Sequence, residues 1–195
     1  MNDDEWFALL HALRLLGHAT VGQLTGRLDA SSDEVESRLL DAEATGLVTR
    51  NVFDDGWSLT SAGKARGEAL AAMELDRVGA RPALTTELDT FGPVNQQVTA
   101  ACTRWQLTEL GLAQPPAPYD GVLADLADAA DQLAAIEQRL SRHLRRFAGY
   151  HRRFSTALRH SETDAGWVTG NDRDSAHRVW FELHEDLLAT LGRDR

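Results

Sequence analysis

A chain of 195 residues with 43% apolar side chains is long enough for one or two domains with buried cores, and it lacks the run of about 18 apolar residues that a membrane-spanning helix needs. Thirty acidic against 20 basic side chains leave a formal charge of −10, which argues against a broadly basic surface for nucleic acid. A single cysteine, Cys102, excludes an internal disulfide framework; with the acidic start Met1-Asn2-Asp3-Asp4-Glu5 where a signal peptide would be basic, it sets the expectation of a reducing, cytoplasmic setting.

Trp6, Leu9, Leu10, Leu13 and Leu16 recur at helical spacing and predict a first helix ending near Gly17. Thr20 caps a short second helix through Leu28, with Val21, Leu24 and Leu28 inward, and Asp29-Ala30 turns the chain into a third. Ser31 or Ser32 caps that third helix, with Asp33 and Glu34 in its first turn, where the helix dipole favours negative charge. Val35, Leu39 and Ala42 form its apolar face, and Gly46 closes it. Leu47, Val48, Val52 and Phe53 then predict a strand, Asp54-Asp55-Gly56 a two-residue turn, and Trp57-Ser58-Leu59 the returning strand of a hairpin. Thr60 or Ser61 caps a fourth helix to about Val78, and Gly79-Ala80-Arg81-Pro82 marks a domain boundary.

The order helix, "GLVTR", short hairpin and "LTSAGKAR" resembles the winged helix-turn-helix of MarR-type bacterial regulators. That resemblance implies a DNA-binding module over residues 1–80, acting as a dimer.

Beyond the boundary the pattern is helical throughout. Phe91-Gly92-Pro93 is expected to open a helix to about Leu110, with Pro93 in its first turn, and the proline-rich stretch Gly111–Pro118 is a loop. From Asp120 to about Leu158 one apolar stripe runs through Val122, Leu126, Ala129, Leu133, Ile136, Leu140, Leu144, Phe147, His151, Phe154 and Leu158. Its spacing is that of a straight α-helix, which unbroken would be roughly 55–60 Å long, with Gly149 on the outer face as the place for a kink or break. A last helix, about Ser175 to Leu191, sets Trp180, His184, Leu187 and Leu191 on one side. "FGPVNQQVTAACTRWQL" and "HRVWFELHEDLLATLGRDR" resemble segments of actinobacterial winged-helix proteins described as transcriptional regulators. The expected architecture is therefore mainly α: a winged helix-turn-helix with a small β-hairpin over 1–80, then an all-helical domain over 85–195 containing one long helix, for dimerisation and ligand sensing.

Charge complicates the DNA expectation. Residues 1–80 hold 14 acidic and 7 basic side chains, a net −7, against −3 for the rest. Projected at 100° per residue, the outward side of the third helix carries Asp33, Glu34, Ser37, Leu40, Asp41 and Ala44, with Arg38 on its flank. The residues expected to contact DNA are Gln23, Thr25 and Arg27 on the second helix, with Ser37, Arg38, Arg50 and Lys64. Carboxylates accept hydrogen bonds from cytosine but repel phosphates, so two further classes stay open: a protein-interaction module that does not bind DNA, and a small-molecule-binding protein using the helical half.

Two features of the helical half carry those alternatives. No acidic residue lies between Glu137 and Glu162, while Arg139, Arg142, Arg145, Arg146, Arg152, Arg153 and Arg159 are expected opposite the apolar stripe. Such a strip is either a solvated or paired face, or a site for an anion or an acidic partner. On the helix from Phe91, Asn95, Thr99, Cys102 and Gln106 form an uncharged polar line beside Val94, Val98, Ala101 and Trp105. His151 and His184 lie on apolar faces. Meeting faces would enclose an apolar pocket with a few polar groups, a ligand site of Asn95, Thr99, Gln106, His151 and His184; otherwise these are buried polar residues satisfied by neighbouring helices. Trp105, Trp167, Trp180 and Phe181 are expected in the core. No metal-ligand spacing, phosphate loop, GxGxxG or G-x-S-x-G occurs, so no catalytic residue, metal or cofactor is expected. The expected partners are DNA, a second copy of the chain, a small-molecule effector or another protein, with no membrane.

Overall fold

The computed structural model describes residues 1–193, which are mainly helical, with nine α-helices and one two-stranded antiparallel sheet among them. In order these are α1 (Asp3–Leu16), α2 (Val21–Leu28), α3 (Ser32–Ala44), β1 (Val48–Arg50), β2 (Trp57–Leu59), α4 (Ser61–Val78), α5 (Arg81–Glu109), α6 (Tyr119–Ser141), α7 (Tyr150–Ser161), α8 (Gly166–Thr169) and α9 (Ala176–Leu191), with a 3-10 turn at Arg145–Phe147 before α7. The chain divides into two compact units, Met1–Gly79 with the residues from Leu188 onward, and Ala80–Leu187.

In the first unit the three leading helices start on reciprocal caps. The Asn2, Thr20 and Ser31 side chains accept the backbone N–H three residues on, and Glu5, Gln23 and Glu34 return the bond to the cap's own N–H. The first helix thus begins at Asp3, not at Trp6, because Asn2 and Glu5 satisfy its opening amides. Leu9, Leu10 and Leu13 of α1 bury against Leu24 of α2, Val35, Leu39 and Ala42 of α3, and Val48 and Trp57 of the sheet.

The hairpin differs from expectation. Its register pairs Val48 with Leu59, Thr49 with Ser58 and Arg50 with Trp57, which leaves residues 51–56 as a six-residue loop in place of a two-residue turn. Val52 and Phe53 are therefore loop residues and almost fully exposed. The position of Trp57 settles this: its N–H donates to the Ala19 carbonyl at 2.8 Å and its carbonyl accepts from Ala19 N–H at 3.0 Å, so β2 starts at Trp57.

In the second unit, α5 begins ten residues before Phe91 and carries Pro93 in its interior. Pro82, in the first turn, is the proline that opens it. Leu84, Phe91, Val94, Val98 and Ala101 stay in one buried phase across Pro93, so packing of that face overrides the missing N–H.

The single long helix over 120–158 does not form. α6 ends at Ser141, the chain passes through the 3-10 turn, and α7 starts after Gly149, whose φ of 104° no helix accommodates. The stripe survives because α7 folds back on α6, so that Phe147, Tyr150, Phe154 and Ala157 are buried with Leu133, Ile136 and Leu140. An unbroken helix would leave half of that apolar face in water.

Candidate nucleic-acid interface

α2, the turn through Asp29 (φ 47°), α3 and the hairpin are the segments on which DNA contacts were expected. Ser37 is exposed on α3, among the equally exposed Asp33, Glu34, Leu40 and Asp41. Gln23 is held in the α2 cap, and the Thr25 hydroxyl donates to the Val21 carbonyl at 2.9 Å. Arg27 stands half-buried in the last turn of α2.

Five cations of this unit face its own carboxylates. Arg38 lies 3.6 Å from Glu5, Lys64 3.7 Å and Arg14 3.8 Å from Glu68, and Arg66 2.7 Å from Asp3. Arg50 bonds Asp55 at 2.9 Å and leans over the Trp57 ring, 5.7 Å from its centroid. Such exposed pairs contribute about 0–1 kcal/mol each, so they mark where the cations rest, not a barrier to leaving.

Two residues that sequence reasoning passed over organise the hairpin. Ala19, between α1 and α2, makes the backbone bridge to Trp57. Its neighbour His18 places Nδ1 3.1 Å from Ser58 Oγ and Nε2 3.0 Å from Asp54 Oδ2. Neither has a local signal, since a two-residue bridge has no periodicity. The Asp54-x-Gly56 spacing is the one trace, because the Gly56 N–H donates to Asp54 Oδ1 at 3.1 Å in an Asx turn.

In the second unit the arginine strip is dispersed by the break in the long helix. Arg139 Nε donates to buried Glu87 at 2.7 Å, and Arg146 pairs with buried Asp186 at 2.5 Å. Arg153 binds both Asp174 and buried Glu182. Burial opposes the Arg153 charge, but the bonds to Glu182 and Asp174 outweigh it and raise its pKa above the ordinary arginine value. Burial, then Asp186, pushes the Tyr150 hydroxyl well above its usual pKa, and that hydroxyl donates to Asp186 at 3.0 Å. Arg142, Arg145, Arg152 and Arg159 are exposed. Three of the seven arginines are thus paired with buried carboxylates and four stand exposed.

The expected ligand residues are only partly gathered. Asn95 Oδ1 accepts from Trp180 Nε1 at 2.9 Å, and His184 lies 5.5 Å from Phe91, whose ring stacks on Trp180 at 4.9 Å. These two therefore satisfy and pack the Phe91–Trp180 pair. His151 Nε2 is 3.2 Å from Ser155 Oγ on its own helix, Thr99 is exposed and Gln106 half-buried. Burial pushes the Cys102 thiol up to about 12, so it stays protonated. Trp180 is core, Trp105 and Trp167 are half-buried, and Phe181, expected inside, is 42% exposed.

Among the described residues, no group of His, Cys, Asp and Glu is placed to hold a metal ion, and no helix is long and apolar enough to cross a membrane. No family model, curated protein or solved structure matches the chain.

Proposed function

We propose that the first unit is a winged helix-turn-helix module and that the chain is a MarR-like transcriptional regulator acting on DNA as a homodimer. The observation that carries this is the order α1, Ala19, α2, α3, β1, β2 around one core, with Ala19 paired to β2 as a third strand position beside the hairpin. In that arrangement α3 is the recognition helix and the hairpin its wing, and two such modules on a dimer address half-sites about one helical turn apart. Ser37, Gln23 and Thr25 are the uncharged groups offered to base edges. Arg27, Arg38, Arg50 and Lys64 hold phosphates, exchanging weak carboxylate pairs for charge-assisted bonds. The helical unit dimerises, and an effector that binds one spacing of the two modules better than another shifts DNA affinity. Neither a cofactor nor a catalytic step enters this proposal.

The test is fluorescence anisotropy of the full chain on DNA from upstream of its own gene, beside scrambled DNA, over a salt series. Sequence-selective binding that weakens steeply with salt supports the regulator. No binding at low salt, with or without candidate effectors, overturns it.

One observation favours a second reading: Asp33, Glu36, Asp41 and Glu43 are all exposed on α3. On that reading the module docks a basic protein surface through α3. Replacing these four acids by their amides separates the two, since it strengthens DNA binding but weakens binding to a basic partner.

A further inference from the structure

We infer that His18 is a positioning residue, a clasp that fixes the hairpin loop 51–56 onto the turn between α1 and α2 and so sets which side chains the loop presents. β1 and β2 are three residues each, and an isolated hairpin of that size is not stable in water. The loop's internal bonds are Asn51 N–H to the Gly56 carbonyl at 2.7 Å, Phe53 N–H to Asn51 Oδ1 at 3.0 Å and Gly56 N–H to Asp54 Oδ1 at 3.1 Å. All three stay within the loop; His18 reaches in from 36 residues away.

The chemistry of the clasp follows from its partners. A carboxylate only accepts, so His18 Nε2 carries the proton toward Asp54, and in the neutral ring Nδ1 accepts from the Ser58 hydroxyl. One imidazole thereby joins the loop to β2 and to the body of the unit. The ring lies so close over Gly56 that a Cβ there would fall 2.0 Å from Nε2, so glycine at this position is the space His18 occupies. Arg50 engages the second loop carboxylate, Asp55, at 2.9 Å. The loop presents Val52, 83% exposed, and Phe53, 94% exposed, to solvent. The consequence for binding rests on the regulator reading: a loop that keeps the Asp54 carboxylate on His18 repels DNA phosphates less than one that swings it freely.

The experiment uses the full chain as wild type, His18→Ala, His18→Gln, Gly56→Ala and the His18→Ala/Gly56→Ala double variant. Amide hydrogen exchange is read at Asn51, with Leu24 and Leu39 as core controls. His18→Ala should speed exchange at Asn51 roughly five- to thirtyfold, the worth of one or two hydrogen bonds, and leave the core amides unchanged. Gly56→Ala should do the same by evicting the ring, and the double variant should be no worse than either, since both remove one interaction. His18→Gln, whose amide donates to Asp54, should recover part of the protection. Unchanged exchange in His18→Ala, or effects that multiply in the double variant, overturns the clasp. Anisotropy on DNA supplies the second arm. If wild type binds and His18→Ala binds as tightly at low salt, the positioning role is overturned. If wild type binds no DNA, the regulator reading fails, and the exchange data alone decide the clasp for or against.

Discussion

Arg153 and Glu182 face each other through two parallel hydrogen bonds of 2.9 Å, Nη1 donating to Oε1 and Nη2 to Oε2. Glu182 is 2% exposed, and such a carboxylate stays ionised in a protein interior only with a partner of this kind. Arg153→Ala should therefore cost about 3–5 kcal/mol, because it removes both of these charge-assisted bonds from a buried carboxylate. Replacing both residues by Met and Leu should come close to neutral, and Arg142→Ala, on an exposed side chain, should change stability by less than about 0.5 kcal/mol. Urea unfolding of the variants checks this; equal losses at positions 153 and 142 would contradict it.

The break after α6 rests on Glu137. Its carboxylate accepts from Gly149 N–H at 3.0 Å and from His151 N–H at 2.6 Å, capping α7 from the neighbouring helix. Glu137→Ala should cost about 1–2 kcal/mol, the range of a lost N-cap, and Glu137→Gln less, since its amide oxygen still accepts. Thermal melts give the loss, and faster exchange of the His151 amide would locate it.

Acid should loosen α3 first at its N-terminus. The Ser31 N–H, then the Ser31 hydroxyl, holds the Glu34 carboxyl below its ordinary 4.5. A carboxyl with a depressed folded value stabilises the fold above its unfolded value, and that contribution is lost as pH falls from about 4.5 through the lower folded value. Carboxyl-carbon NMR should find Glu34 titrating below its ordinary 4.5, the shift shrinking in Ser31→Ala. A Glu34 titration at or above 4.5 would refute the cap.

Pro93 is exposed in the interior of α5, where it removes one backbone bond while the buried face continues on both sides. Pro93→Ala should restore that bond and stabilise the chain by about 1–3 kcal/mol, within the known cost of an interior proline. A chemical-denaturation midpoint lower than wild type would show that the helix is shaped around the proline.

What the sequence by itself determined is local. Thr20 and Ser31 stand three residues before Gln23 and Glu34, and leucines at helical spacing follow; cap and stripe are properties of a dozen contiguous residues. The acidic outer side of α3 follows from the same projection. Tertiary structure decided the rest, because periodicity cannot distinguish one long helix from two that fold together: Leu133 and Phe154 keep the same phase either way, and burial of both helices' apolar faces, with Glu137 capping α7, selects the break at Gly149. Packing likewise carried α5 through Pro93, which its local chemistry marks as a start. Charge is the least legible property in one dimension. Arg153 reads as an outward cation until Glu182 is brought to it across 29 residues, and Asp54 reads as a turn residue until His18 reaches it across 36, because electrostatic partners are chosen by distance in space.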